Sequence, residues 1–563
     1  TDQNSGYDQT RADFDFDRGR NAAATRVNAS GLIEKYRENL LLQSNQFDTT
    51  WSIVNNGSLT SGQTGYDGSN DAWLYTKTGS GSRIQQSITK SGVHTFSVYV
   101  KANASNWVRL LINAATNATQ FVNLTDGSLG VSSAGTIDAT STSVGNGWYR
   151  ITLTINDSAI IEVRIYPAEG DNDTTGTSGS IYIQSAQLES GLVASSYLES
   201  TSVTGKAGVL VDLPRINYDA NGENGALLLE PSRQNLFTQS EYFGDWGVSA
   251  GTLTANSTTS PEGVQNAYLF TEDTTTGYHR FAKNSGGSNS TKTFSVFAKW
   301  AGGSGRKWLT MDNGPICYFD LENGVKGNVG ANCTADIEDY GNGWYRCYFT
   351  HTNSATGTLY IGSSNTNGGA GNHLGNGENA FYLYGAQAED GASYVSSYIP
   401  TMGTSETRAA DSCTGGGSAE SINSTEGVLY FEGSALADDG TSRSISIFQN
   451  GSNFIKFQYS STSNRVDFVA FSSGAVSCNI TKVISNTTDN NKFALKWKLN
   501  DFALWVNGVE VGTDLSGNTP IGMDKISFTN EGGSSGNFYG NTKQVAVFNE
   551  ALSDSELATL TTL

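Results

Sequence analysis

The sequence predicts an all-β protein, three tandem antiparallel β-sandwich (jelly-roll) domains behind a short N-terminal segment, and three observations lead there. A long frame occurs twice: NLLLQSNQF at Asn39–Phe47 returns as NLFTQSEYF at Asn235–Phe243, and GNGWYR at Gly145–Arg150 returns at Gly341–Arg346, both 196 residues on. A period that long marks a domain with its own core, not a solenoid repeat. Segments such as HTFSVYVKA (His94–Ala102), WYRITLTI (Trp148–Ile155) and IIEVRIY (Ile160–Tyr166) alternate apolar and polar residues, which sets one face on a core and the other in water. Between such runs stand Asn146-Gly147, Asn323-Gly324, Asn342-Gly343, Asn450-Gly451 and Asn507-Gly508, pairs suited to the positive φ angles of tight hairpin turns.

Composition agrees. The 563 residues include 65 Gly and 7 Pro, and only 16% are charged, so the predicted surface is one of hydroxyls and amides. The 34 basic and 54 acidic residues leave a net charge of −20, which argues against nucleic acid as a partner because phosphate binding needs stripes of Lys and Arg. No apolar run approaches the ~20 residues that cross a bilayer, so no membrane insertion is expected. The acidic start TDQNSGYDQTRADFDFDRGR lacks the basic and apolar regions of a secretory signal, so either export does not follow that route or processing has already occurred.

Taken in order, residues 1–36 form a leader, 37–203 the first copy, 204–234 a connector, 235–411 the second copy, 412–424 a linker and 425–563 a third sandwich. Within each copy TFSVY (Thr95–Tyr99) matches TFSVF (Thr293–Phe297), and IYIQSAQLE (Ile181–Glu189) matches FYLYGAQAE (Phe381–Glu389). In GNGWYR the Asn-Gly pair turns the chain, and Trp148 and Tyr149, or Trp344 and Tyr345, enter the next strand on opposite faces, one ring toward the core and one toward the surface. Trp51 with Trp246, and Trp73 with Tyr268, are paired aromatics expected to pack. CTGGGSAESINS (Cys413–Ser424) has the Gly/Ser richness of a linker. In the third unit Lys492–Thr513 is expected to hold three strands turning at Asn500-Asp501 and Asn507-Gly508, and Ser553 with Glu556 forms a capping box that opens a helix.

Those residues carry a resemblance. The strand order with NGVEV and the closing VFNEALSDSEL resembles the concanavalin A-like, laminin-G-like sandwich over about the last 140 residues. The two copies, with their NLL/QS/F opening, GNGWYR hairpin and AQLE strand followed by SSYLES or SSYIPT, resemble the carbohydrate-binding-module-like jelly rolls of tailed-phage structural proteins. The leader at Asp13–Asn39, and the related connector PRINYDANGENGALLLEPSRQNLF (Pro214–Phe237), resemble the lead-ins of phage head and tail appendages. The resemblance implies a structural virion protein, a head or tail fibre or decoration on the outer surface of the particle, held to other virion proteins through its N-terminal region and binding host or environmental carbohydrate. A secreted or cell-surface bacterial lectin is the alternative, and a polysaccharide depolymerase a third reading. A trimer is open, although no coiled-coil heptad is present to enforce one.

Catalytic chemistry finds no footing in the sequence, and no enzyme is expected. No strand carries the alternating carboxylates that a concanavalin-like glycosidase uses. The literal G-x-S-x-G at Gly532–Gly536 lies in a Gly/Ser-rich loop without the strand-to-helix elbow a nucleophile needs. Four scattered histidines (His94, His279, His351, His373) and five cysteines without zinc-ligand spacing give no metal centre, and no cofactor is assigned. Cys317, Cys333 and Cys347 occur in the second copy alone and are read as small apolar packing residues, against a bridge between adjacent strands; Cys413 and Cys478 look isolated. Asp171-Asn172-Asp173 and Asp438-Asp439-Gly440 could ligate a structural calcium through oxygens, the commoner reading being a solvated acidic turn. For carbohydrate the residues singled out are Trp107 and Trp308, which occupy equivalent places and offer flat rings for a sugar face, against simple packing; Trp505 is expected in the core.

Overall fold

The structure is a computed structural model that describes residues 14–20, 23–286, 290–304, 306–354, 357–369, 371–531 and 535–563. It is all-β: apart from one α-helix, Asp554–Thr561, and one short 3₁₀ turn, the described elements are strands, paired antiparallel into sheets. Among the described residues no helix is long and apolar enough to cross a membrane.

In the second copy two six-stranded sheets face each other. One runs Gly247–Ser249, Arg280–Asn284, Thr358–Ser364, Trp308–Asp312, Ile316–Asp320, Val325–Lys326; the other runs Gly251–Thr258, Ala267–Glu272, Asn379–Asp390, Ser290–Trp300, Tyr345–Ser354, Cys333–Asp339. The first copy repeats this order, but two long strands, Arg83–Ala102 and Trp148–Ala168, pass from one layer into the other, so the layers join as a single ten-stranded sheet. Register breaks between Asp157 and Glu162 mark the passage, as expected where a bulge bends a strand. Alternate residues of facing strands fill each core: Phe96, Val98, Ile151 and Leu153 in the first copy and Phe294, Val296, Cys347 and Phe349 in the second. The third unit packs a five-stranded sheet on a seven-stranded one around Phe431, Phe457, Phe493 and Trp497.

Local expectations fare unevenly. Asn146-Gly147, Asn342-Gly343 and Asn507-Gly508 turn with positive φ at both residues, whereas at Asn323-Gly324 only the glycine does so and Asn450-Gly451 needs no positive φ. There the Asn450 side chain accepts the Ser452 N–H at 2.9 Å and closes the turn itself. The capping box forms, with the Ser553 N–H donating to the Glu556 carboxylate at 2.8 Å. All five cysteines are free thiols and four are buried. The GNGWYR rings do take opposite faces, but the outer one is not left at the surface. Tyr149 and Tyr345 lean on the main cores, while Trp148 and Trp344 are buried on the outer face of the same sheet, Trp148 with Ala72 and Tyr99, and Trp344 with Ile33 and Phe297.

The segments between the sandwiches are built into them. Ser412–Thr414, in the stretch with linker composition, pairs with Asp15–Asp17 of the leader, Phe16 opposite Cys413. Cys413 and Ile422 enter the third core, and Phe14 and Phe16 pack against it. The glycines there permit close approach rather than looseness: a Cβ at Gly416 would lie 2.7 Å from the Phe14 ring. Ala226–Leu229 of the connector pairs with Gly540–Phe548 and extends the third unit's larger sheet.

One buried cluster of charges ties these pieces together. Arg215 of the connector bonds both Asp411 and Glu230, at 2.9 Å to the latter; Arg408 meets Glu230 at 3.1 Å, and Arg18 of the leader meets Asp411 at 3.0 Å. The backbone joins in, with Glu230 N–H donating to the Asp411 carboxylate and Asp411 N–H to the Glu230 carbonyl, both at 2.9 Å. Burial pushes the Glu230 carboxyl up, but the Arg408 and Arg215 guanidiniums outweigh it and hold it at about 2. A folded value depressed from the ordinary 4.5 stabilises the fold above that pH and ceases to do so as pH falls toward 2. Urea unfolding between pH 4.5 and 2 is therefore expected to lose stability less steeply in Glu230→Gln than in the wild type. Arg215→Met, which strands buried carboxylates without a partner, is expected to cost about 3–5 kcal/mol in the same measurement at neutral pH.

Candidate functional site

The outer faces of the two equivalent sheets carry the chemistry that folding does not consume. In strand Trp107–Asn113, Val108, Leu110 and Ile112 point into the core, so Trp107 and Arg109 stand on the outer face. Trp308 stands likewise beside core Leu309. Both tryptophans are half-buried, each ring edge against a glycine in or just after a neighbouring strand: a Cβ at Gly130 would lie 2.8 Å from Trp107, and one at Gly327 2.7 Å from Trp308. Beside each ring sits one polar side chain that braces the loop, Asp171 accepting the Val131 N–H at 2.8 Å and Asn367 accepting the Asn328 N–H at 2.7 Å. The two predicted platforms thus occupy equivalent positions in the two sheets, each half-exposed.

Next to Trp107 the sequence reading missed a cross-strand row. Tyr166 and Phe121 are the direct partners of Arg109 on either side. The Arg109 guanidinium lies 4.9 Å from the Tyr166 ring centre and 5.6 Å from that of Phe121, and Arg83 covers the same tyrosine at 5.9 Å. Tyr166 and Phe121 are buried yet belong to no core cluster, because the arginine planes cover them. Cations over ring faces gain of order 0.5–2 kcal/mol each. Arg164 adjoins them, but Glu162 neutralises it through a 2.6 Å hydrogen bond from Nε. Gln85 and Asn113 also donate to Glu162, at 2.7 and 2.9 Å. Among the described residues Arg83 bonds only the Gln85 amide and the Gly81 carbonyl, and Arg109 has neither hydrogen bond nor ion pair. Burial depresses the Arg109 guanidinium below its usual range, and Arg164 and Arg83 nearby add to the effect. In a chain of net charge −20, this face gathers the guanidiniums of Arg83, Arg109 and Arg164 against the carboxylate of Glu162, with Asp171 on the far side by Trp107.

The second copy closes the same row. Gly362 stands where Tyr166 does and Thr310 where Arg109 does, and Arg280 takes the place of Arg83. Arg280 lies 3.9 Å from the Tyr360 ring centre and 4.6 Å from that of Tyr278, with its Nη1 3.5 Å from Asp312. Its charge is matched and its faces are covered. No repeat-level signal distinguishes the copies here, because the differing residues alternate with shared core positions.

Other polar features are spent on structure. A cleft of about 220 Å³ opens where the leader, the end of the first copy and the second copy meet, but its Lys35 is held 3.1 Å from Glu241 and 2.8 Å from Glu262. At the acidic turns, Asp439 is paired with Arg443 at 2.9 Å, and Asp438 accepts the Asn464 N–H at 3.1 Å. Burial pushes Asp173 up, and backbone N–H groups of Glu169, Thr175 and Gly176 outweigh it to hold it at about 2. Of the G-x-S-x-G stretch, Gly532, Gly533 and Ser534 lie outside the described residues. Trp505 is buried against Leu557 of the helix, as expected.

No protein-family model matches this chain, and no curated protein matches it significantly. Solved structures similar to it include the carbohydrate-binding module CBM40 of the Ruminococcus gnavus IT-sialidase bound to α2,3-sialyllactose, at 15% identity over 25% of this chain and 84% of that one, with a TM-score of 0.23. The CBM22 tandem of Paenibacillus barcinonensis Xyn10C is 13% identical over 66% of this chain and 98% of that one, with a TM-score of 0.21. Domains LG4-5 of the mouse laminin α1 chain are 9% identical over 59% and 96%, with a TM-score of 0.18.

The two classes of tryptophan should separate on mutation. Trp148→Ala and Trp344→Ala empty buried clusters and are expected to cost about 3–5 kcal/mol in chemical unfolding. Trp107→Ala and Trp308→Ala remove half-exposed rings outside the cores and should cost clearly less in the same measurement.

Proposed function

We propose that this chain is a non-catalytic structural and adhesive protein of a tailed-phage virion, whose first sandwich holds acidic polysaccharide on the face of Arg83, Arg109 and Trp107. The observation that carries the binding reading is Arg109: a guanidinium stacked between two rings, beside a second arginine, with no acid of its own. Guanidinium edges match carboxylate and sulfate groups in a bidentate manner, and the half-exposed Trp107 offers a flat apolar surface for a sugar ring. A row that is rigid before binding loses little entropy on capture. The virion setting is supported by the likeness of the leader, connector and repeated modules to phage appendages. On a particle, many copies of a weak site would act together and raise avidity.

Two measurements test this. On a glycan array that includes uronate-bearing and sulfated polysaccharides beside neutral ones, the purified chain is expected to retain acidic glycans and to release them as salt rises. The double variant Arg83→Ala/Arg109→Ala should bind them about 10- to 100-fold more weakly, the equivalent of losing one or two charged hydrogen bonds. Binding to neutral glycans alone, or binding unaffected by the double variant, would remove this face from the reading. Gold-labelled antibody against the chain is expected to decorate the outside of intact particles; label confined to the bacterial surface would favour a bacterial lectin.

A further inference from the structure

The second copy brings together three residues far apart in sequence, Glu272, His279 and His373, all buried, each with a donor atom within 4.8 Å of the others'. Glu272 ends the strand Ala267–Glu272, His279 precedes Arg280–Asn284, and His373 lies in the short strand Asn372–Leu374. The two imidazole rings are 4.6 Å apart between centres, and Nε2 of His373 is 3.0 Å from Oε1 of Glu272. We propose that this trio binds a divalent transition-metal ion, with zinc the best match to two imidazole nitrogens and one carboxylate oxygen.

Three features of the site support an ion. Both ring nitrogens of His279 face carbonyl oxygens, Nδ1 at 2.6 Å from Ala250 and Nε2 at 3.1 Å from His373. A neutral imidazole has one N–H. Donation from Nδ1 to Ala250, the shorter contact, leaves the Nε2 lone pair against another acceptor, an arrangement that a cation at Nε2 relieves. The Nδ1–H to carbonyl bond is also the usual second support of a metal-bound histidine. His373 supplies the second feature: its Nδ1 is buried and has no hydrogen-bond partner, with the side chain only 5% exposed. A buried imidazole nitrogen left bare calls for an explanation.

The third comes from the duplication. Where the second copy has Glu272, the equivalent strand Ala72–Lys77 of the first copy ends in Lys77, buried, with its ammonium 3.3 Å from the Pro167 carbonyl. The first copy thus carries its own cation at this place, and the second carries a carboxylate and two imidazoles instead. Glu272 is already oriented, accepting from Ser363 Oγ at 2.6 Å and from the Asn376 N–H at 3.2 Å. Among the described residues Arg306, 3.5 Å from Oε2, is the positive neighbour that an ion would have to share the carboxylate with. With metal–ligand bonds of about 2.0–2.1 Å, tetrahedral donors stand roughly 3.4 Å apart, so donors that lie within 4.8 Å of one another have at most about 1.4 Å to close on loading. That closure would tie the edge strand Asn372–Leu374 to the body of the sandwich.

The test uses the full chain stripped with a chelator and titrated with Zn²⁺ and, separately, Co²⁺. One ion per chain is expected, with a melting temperature that climbs with zinc concentration and a cobalt spectrum of tetrahedral type lacking thiolate charge transfer. Glu272→Gln and His373→Asn should each lose the ion, the second being the less buried change if the first fails to fold. Cys317→Ser/Cys333→Ser, which removes two thiols of the same copy that lie outside the trio, should keep it. The proposal is overturned if the folded wild type takes up no metal, if binding survives Glu272→Gln/His373→Asn, or if cobalt reports sulfur ligands.

Discussion

The buried cluster of Arg18, Arg215, Arg408, Glu230 and Asp411 is the constraint on which the arrangement of the whole chain rests. Its members come from the leader, the connector and the end of the second copy, so three of its four ion pairs span segments that the sequence separates by many residues. Removing so many charges from water is unfavourable unless each finds partners. Here every carboxylate meets two guanidiniums, and the Glu230 and Asp411 backbones bond each other as well. All five charges are satisfied together in this placement of leader, connector and sandwich. The strand pairings Asp15–Asp17 with Ser412–Thr414 and Ala226–Leu229 with Gly540–Phe548 follow from the same placement, and turn three sandwiches on a string into one braced body.

Against that fixed frame the two copies have diverged in their surfaces. Core positions alternate with outer positions along each strand, so substitutions at the outer positions leave the packing between the sheets untouched. The row Arg83, Tyr166, Arg109, Phe121 becomes Arg280, Gly362, Thr310, Tyr318, and an open cationic face becomes a matched one. Lys77 becomes Glu272, and a built-in cation gives way to a carboxylate beside two imidazoles. Duplication of a sandwich supplies a second set of faces on the same scaffold, each free to take on different chemistry.

How much of this was legible in the sequence depends on the range of the interaction. The fold class, the repeat, three of the five Asn-Gly turns as drawn and the capping box are local, carried by period-two patterning and by residues a few positions apart. The buried outer-face position of Trp148 and Trp344 was not legible, because alternation says only that Trp and Tyr part company, and which face is covered depends on what packs there. Ile33, from a segment some three hundred residues upstream, helps to cover Trp344. The Gly/Ser stretch after Asp411 reads as a linker at a domain boundary by composition, yet its Gly416 serves to admit Phe14 and its Cys413 and Ile422 to close the third core.

By itself the sequence determined a β-sandwich protein built on a duplicated frame, since strand periodicity and turn chemistry act over a few residues and repeat wherever the frame repeats. It also placed Trp107 and Trp308 at equivalent positions. Only the tertiary structure decided which charges are neutralised and which are open, because a guanidinium's partner is set by register across strands. Arg109 lies beside Tyr166 and Phe121 by strand pairing alone, and Glu272 meets His373 across a hundred residues from a different sheet. Contacts of that range have no signature in a single sequence, and they are where this protein's surface chemistry resides.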